Sequence, residues 1–267
     1  MEDDCALAGG RAWADTLLDS PDPNALRNLL GGRSAGICMP DFLAGHECVA
    51  LTERVNELEF GDYLNVTPAI GRVGTTVFEY DAIGKQEYFI EAKAANARIA
   101  KIVDGLFHPM QRVMEWLKAL HPNGDVRIAE EDGYGPYFAG LLRRIEMGTQ
   151  IHIDYAPVEQ PGWEIARVRS QLAFNLYLDV PIDKPGVVKT WKRGWKSADV
   201  EFKLPDSYGY RPSIVDGVES AEIIPSVGML MLINTRNFHQ VFPANGVRLT
   251  LSAAVGLTDD GDLVLWS

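Results

Sequence analysis

Two hydrophobic rhythms divide this chain, and one gives way to the other near residue 125. From Pro40, the segment Asp41–Val55 carries apolar side chains at helical spacing. Residues 91–119 do so most clearly: Ile99, Ile102, Val103, Leu106, Met110, Val113, Met114 and Leu117 mark one stripe, so the spacing predicts one long helix. His121-Pro-Asn-Gly124 ends it. The first 35 residues read as short helical pieces broken by Ser20-Pro-Asp-Pro23 and Gly31-Gly32. A loop-rich stretch holds Ile70-Gly-Arg-Val-Gly-Thr-Thr-Val-Phe-Glu79. After Gly133 the pattern predicts strands near 137–145, 150–155, 171–178, 187–193, 221–224, 229–234, 238–242, 248–255 and 263–266. Closely spaced strands with Gly and Pro between them predict an antiparallel barrel or sandwich, braced on one sheet by helices from the first half. Neither an internal repeat nor a low-complexity segment is visible.

The expected organisation is a single α+β domain over residues 1–267, with a mainly helical part at 1–125 and a β core at 126–267. A length of 267 residues with 46% apolar content supports such a core. The net charge of −12 repels phosphate backbones and anionic membranes, so neither nucleic acid nor membrane is an expected partner. No apolar run reaches the roughly 20 residues of a membrane helix. Cys5, Cys38 and Cys48 form no CxxC pair and no even disulfide framework. Together with an acidic N-terminus that lacks a signal-peptide pattern, they suggest a reducing cytoplasm.

The chemistry concentrates in Gln150-Ile-His-Ile-Asp-Tyr155. A strand turns alternate side chains to one face, so His152 and Asp154 project together. His239, in Asn237-Phe-His-Gln-Val241, offers a third ligand from a distant strand. Two imidazoles and a carboxylate make a facial triad that leaves three metal positions open for a cosubstrate and dioxygen, the pattern of non-haem Fe(II) oxygenases. Arg248 follows His239 by nine residues. A 2-oxoglutarate cosubstrate would leave its distal carboxylate in the interior, and arginine offers the forked donor that fits it. Thr250 or Ser252, on the same face as Arg248, can add a hydroxyl. His46, His108 and His121 lack carboxylate partners in register and read as structural or solvated.

On these residues the chain resembles the iron(II)/2-oxoglutarate-dependent oxygenase superfamily, whose HxD…H…R motif is met by His152, Asp154, His239 and Arg248. Over roughly residues 70–267 it is similar to the carrier-independent aliphatic halogenases and the amino acid hydroxylases of free or N-acylated substrates. Gln171–Leu178, Gly228–Asn234 and Leu265-Trp-Ser267 carry that likeness. The resemblance implies a double-stranded β-helix, or jelly-roll, and Fe(II) and 2-oxoglutarate as cofactors. The halogenases have glycine or alanine where this chain has Asp154, so the resemblance implies hydroxylation of a small carboxylate-bearing metabolite. Arg72 matches an arginine that group members use for a substrate carboxylate, and Asn234 and Thr235 offer polar contacts near His239. Glu130, Glu131 and Asp132 can meet an amine or form a solvated turn. Trp191 and Trp195 can roof the pocket or pack, and one of Arg143 and Arg144 faces inward. Two other readings stay open: a non-catalytic jelly-roll module that binds a small acid, and an oxygenase acting on a peptide or other natural product.

Overall fold

Period-two alternation builds the main sheet. The computed structural model describes residues 13–63 and 66–267, so Cys5 lies outside the described residues. The strands are β1 (Asp15–Leu17), β2 (Gly36–Met39), β3 (Gly61–Asp62), β4 (Gly71–Val73), β5 (Val126–Ile128), β6 (Glu130–Glu131), β7 (Gly135–Pro136) and β8 (Leu141–Ile145). They continue with β9 (Ser170–Asp179), β10 (Val188–Gly194), β11 (Ser220–Ile223), β12 (Leu230–Asn234), β13 (Asn237–Val241), β14 (Arg248–Leu257) and β15 (Leu263–Trp266). The helices are α1 (Pro23–Leu30), α2 (Gly45–Asn56), α3 (Lys85–Val103), α4 (Pro109–Leu120) and the single turn α5 (Ala156–Glu159).

Ten strands form the large sheet along the path β1-β2-β12-β9-β14-β8-β4-β3, with β15 beside β14 and β5 beside β15. Pairing is antiparallel except at β1–β2 and β5–β15. A smaller sheet, β11-β10-β13, packs over it, and β6–β7 is a separate hairpin. Leu172, Phe174, Leu176, Leu230, Leu232, Leu249, Leu251 and Val255 bury one face of the large sheet against α1–α4. The residues between them point the other way: Tyr177, Met231, Ile233 and Cys38 meet Val188 and Ile223 of the smaller sheet. A third cluster, Ile151, Ile153, Trp191, Tyr210 and Phe238, covers the outside of the smaller sheet. This is an α+β jelly-roll braced by helices.

Several expectations are corrected. The helix expected over 91–119 is two, because Gly105 takes φ +73° and Pro109 restarts the helix at its first position. The 150–155 segment is not a strand; its one β-bridge joins His152 to His239. Gly148 at φ +77° and Pro157 bound it closely, which leaves no room for a ladder. Residues 137–140 precede β8 as irregular chain. The first 125 residues also supply β1–β4 to the large sheet, strands too short to show a period. No helix is long and apolar enough to cross a membrane.

Candidate metal centre

The segment carrying the HxD pair keeps strand-like alternation without a ladder. Ile151 and Ile153 are buried in the outer cluster, which turns His152 and Asp154 to the opposite side, where the Asp154 side chain remains half exposed. The His152 N–H donates to the His239 carbonyl at 3.0 Å, and the His239 N–H returns the bond at 2.9 Å. The Asp154 N–H donates to the Thr235 carbonyl at 2.9 Å. Three backbone bonds therefore hold the pair against the turn and strand that bear His239.

The ligand atoms converge. Asp154 Oδ2 lies 3.5 Å from His239 Nε2 and 4.0 Å from His152 Nε2, and the three groups place one donor each within 4.8 Å of one another. Each imidazole is oriented from behind. His152 Nδ1 sits 2.8 Å from the Gln150 carbonyl, and His239 Nδ1 is 3.0 Å from that of Asn237. A carbonyl accepts, so the protons belong on Nδ1 and the Nε2 lone pairs face the common point. The Tyr208 ring packs edge-on at 5.3 Å from His152.

Electrostatics favour the ligating protonation states. Burial and the neighbouring His239 push the His152 imidazole down to about 4. Burial alone would raise the Asp154 carboxyl, but the two histidines that face it and the Arg143 guanidinium hold it well below the usual carboxylate range. Neutral imidazole and ionised carboxylate are what a divalent iron requires.

The interior beyond the triad is lined with unspent donors. Arg248 is 2% exposed and gives Nη1 to the Gly186 carbonyl at 2.6 Å. Its Nε is buried without a partner, and burial lowers its pKa. Thr250 stands two residues on, fully buried with an unpartnered hydroxyl, as does Thr190 beside His239 on β10. A native interior leaves few polar atoms unpaired. A desolvated guanidinium and two hydroxyls fit a carboxylate that bonds them all. The donor set thus suits iron at the triad and an acid beside Arg248. Ser252 is occupied differently: its hydroxyl donates to the Leu141 carbonyl at 3.3 Å.

The substrate-side candidates separate. Arg72 is already engaged, donating to the Gly74 carbonyl at 2.6 Å and to Glu79 at 2.8 Å. Asn234 Oδ1 accepts the Arg236 N–H at 3.2 Å and so shapes the turn. Thr235, 1% exposed, keeps an unpartnered hydroxyl next to the carbonyl that holds Asp154. Arg143 is the inward arginine. Its Nη2 donates to Asn175 Oδ1 at 3.0 Å, whereas Arg144 lies over Phe60 and bonds Asn56 on α2. Glu131 is neither a substrate contact nor a solvated turn residue: it is buried, bonded to Lys85, Tyr137 and the Glu164 N–H. Trp191 packs in the outer cluster with Trp195 against it, so neither roofs the pocket. The three remaining histidines sit away from the triad, with His121 facing the Gly261 carbonyl.

Sequence reasoning passed over Asn175, Thr190, Glu159 and Tyr208. Asn175 had a visible signal, a lone amide in the apolar run Leu172–Leu178. Glu159 follows a proline-containing turn whose fold no periodicity announces. A groove of about 710 Å³ between α4 and β5, lined by Met110, Met114 and Ile128, includes no member of the triad.

Comparison with known proteins places this geometry in a family. The model of the carrier-protein-independent halogenase WelO5 matches residues 16–267. The leucinostatins biosynthesis cluster protein S of Purpureocillium lilacinum is 38% identical over 216 residues, 76% of this chain and 87% of that protein. The L-gamma-glutamyl-L-propargylglycine hydroxylase of Streptantibioticus cattleyicolor is 35% identical over 207 residues, 74% of each. Among solved structures, an N-substituted L-amino acid dioxygenase from Burkholderia ambifaria shares the fold at TM-score 0.62 and 15% identity, covering 92% of this chain and 91% of that one. A 2OG-Fe(II) oxygenase from Burkholderia pseudomallei does so at TM-score 0.51 and 11% identity, with 90% and 94% covered. The chain belongs to the carrier-protein-independent halogenase WelO5 family, within the iron(II)/2-oxoglutarate-dependent oxygenases.

Proposed function

We propose that the chain hydroxylates an unactivated C–H bond of a small carboxylate-bearing amino-acid derivative, free or N-substituted, and that residues 1–267 act as one oxygenase unit. The observation that carries this reading is the convergence of His152, Asp154 and His239 within 4.8 Å beside an arginine that has no acidic partner among the described residues. In this reading His152 Nε2, Asp154 Oδ2 and His239 Nε2 hold iron, and Arg248 with Thr250 takes the distal carboxylate of 2-oxoglutarate. Bound together, iron and 2-oxoglutarate supply the oxidant for C–H cleavage, with succinate and carbon dioxide as coproducts.

The protein's own part is position. Backbone carbonyls fix both imidazoles, and the polar groups beyond them, Arg248 and Thr250 among them, orient the acid that enters. Asp154 decides the outcome. Its carboxylate fills the position that a glycine would leave open to halide, which favours hydroxylation over halogenation. The hydroxylase among the relatives supports an amino-acid derivative as substrate. Cys38 and Cys48, both buried and free, favour a reducing compartment such as the cytoplasm.

The test is a mass-spectrometric screen of amino acids, N-acyl amino acids and γ-glutamyl dipeptides with Fe(II), 2-oxoglutarate and oxygen. A product heavier by one oxygen atom, formed with matching succinate, supports the reading. Substrate binding without succinate release, or a halogenated product in the presence of chloride, contradicts it.

A further inference from the structure

The segment that carries the metal ligands is gripped unequally at its two ends. At the His152 end the chain has the bridge to His239 and a cluster of bonds on Gln150, whose N–H donates to the Tyr208 hydroxyl at 2.9 Å. The Gln150 amide donates to the Thr67 carbonyl at 3.0 Å and accepts the Ser207 hydroxyl at 2.6 Å. The Asp154 end lies in no strand, and its half-exposed side chain meets only the two imidazoles among the described residues. Each imidazole has a backbone carbonyl behind it; among the described residues the carboxylate has no such support. Where it points is therefore set by the backbone on either side of it.

That backbone closes on one residue. The Asp154 N–H donates to the Thr235 carbonyl at 2.9 Å, and the Thr235 N–H donates to the Gln171 carbonyl at 3.3 Å. The Gln171 side-chain oxygen accepts the Ala156 N–H at 2.7 Å, while the Tyr155 N–H is taken up within the turn by Glu159. From Asp154 through Thr235 and Gln171 to Ala156, the bonds form a closed ring. Gln171 supplies two of its acceptors, one from the main chain and one from the side chain. Its base is rigid. Strand β9 is hydrogen-bonded to β12 on one side and β14 on the other, and Gln171 stands opposite Gly256, where Val168 and Trp266 leave no room for a Cβ. Gln171 is 3% exposed and Ala156 is fully buried. A buried amide is costly unless bonded, and the bond that offsets it goes to the turn leading away from Asp154.

We propose that Gln171 is a positioning residue for Asp154: by holding Ala156 and Thr235 together, it keeps the carboxylate turned to the point where the imidazoles converge. The inference rests on the metal reading above and goes beyond it by naming a residue outside the triad that sets the third ligand. A site of two neutral imidazoles and one carboxylate draws its only negative charge from that carboxylate. A small swing of Asp154 therefore subtracts the main electrostatic attraction for a dication. Gln171 acts at one remove, through the backbone, as groups behind a metal ligand do when they orient it.

The test is a double-mutant cycle on metal affinity, which separates action through Asp154 from a general effect on stability. Co(II) is the probe, because it binds such donors more tightly than Fe(II) and keeps weakened sites measurable. Gln171→Met removes the acceptor at nearly the same length, and Gln171→Asn, the milder variant, draws the amide back by one methylene. With Asp154 present, Gln171→Met should weaken Co(II) binding about tenfold, the lower end for losing a group behind a ligand. In the Asp154→Ala background the same change should move it by less than about twofold, since no carboxylate is left to place. Gln171→Asn should show a smaller loss with the same dependence on Asp154. Circular dichroism melts of the metal-free proteins identify the folded variants, and Gln171→Asn carries the cycle where Gln171→Met does not fold. Equal loss in both backgrounds, or no loss in either, overturns the positioning role. A wild type that binds no Co(II), or an Asp154→Ala variant that binds it as well as the wild type does, overturns the metal reading beneath instead.

Discussion

His152 and His239 are each other's backbone partners: the N–H of each donates to the carbonyl of the other, at 3.0 and 2.9 Å, and their ring centroids stand 4.1 Å apart. A single bridge between two segments distant in sequence thus delivers both imidazoles, and Asp154 arrives two residues later on the same side. The backbone, not side-chain packing, sets the spacing of the site.

Asp154 should be required for iron binding and for the type of product. Asp154→Ala removes a ligand itself, so it is expected to lower iron affinity by at least the roughly 10- to 100-fold that losing a group behind a ligand costs, and to abolish hydroxylation. The wild type should form no halogenated product even in high chloride. Mass spectrometry of products from both proteins, with and without chloride, checks this.

Arg248 should matter for the cosubstrate and little for substrate. Arg248→Met is expected to weaken 2-oxoglutarate binding by about 10- to 150-fold, corresponding to roughly 1.5–3 kcal/mol for a charged hydrogen bond. Titration of the metal-loaded protein with 2-oxoglutarate measures it. An unchanged affinity would remove Arg248 from the cosubstrate site.

The metal-free protein should weaken on mild acidification. The His152 imidazole titrates near 4 in the fold against an ordinary 6.5, so the unfolded chain takes up the proton first. Its contribution is complete above pH 6.5 and is lost as pH falls toward 4, about 3 kcal/mol in all. Denaturant unfolding of metal-free wild type and His152→Asn at pH 4.5 and 7 checks it. The variant should show the smaller drop.

Glu131 should act on stability alone. Removing it leaves Lys85 without its anion and the Tyr137 hydroxyl and Glu164 N–H without their acceptor. Glu131→Ala is therefore expected to cost about 3–5 kcal/mol of stability, while the protein that remains folded keeps wild-type substrate affinity. Thermal melts paired with ligand titration separate the two effects.

What could be read from sequence follows from which signals are local. Alternation in Leu172–Leu178 and Arg248–Val255 fixed the core strands and the inward face of Arg248, because a buried face enforces period two. The HxD pair and His239 were legible for the same reason. The division of α3 from α4 was missed because the apolar stripe runs across Gly105 and Pro109 unbroken, and backbone geometry overrides it there. The engagement of Arg72 by Glu79 and the burial of Glu131 depend on partners brought in by tertiary contact. Alternation placed one of Arg143 and Arg144 inward without saying which; the register of β8 against β14 makes it Arg143.

Equilibrium dialysis of Fe(II) under nitrogen, on wild type and on His239→Ala shown by circular dichroism to be folded, tests the central assignment most directly. The account predicts one tightly held iron per wild-type chain and affinity reduced by about 100-fold or more in the variant. Equal iron binding by the two proteins would contradict it.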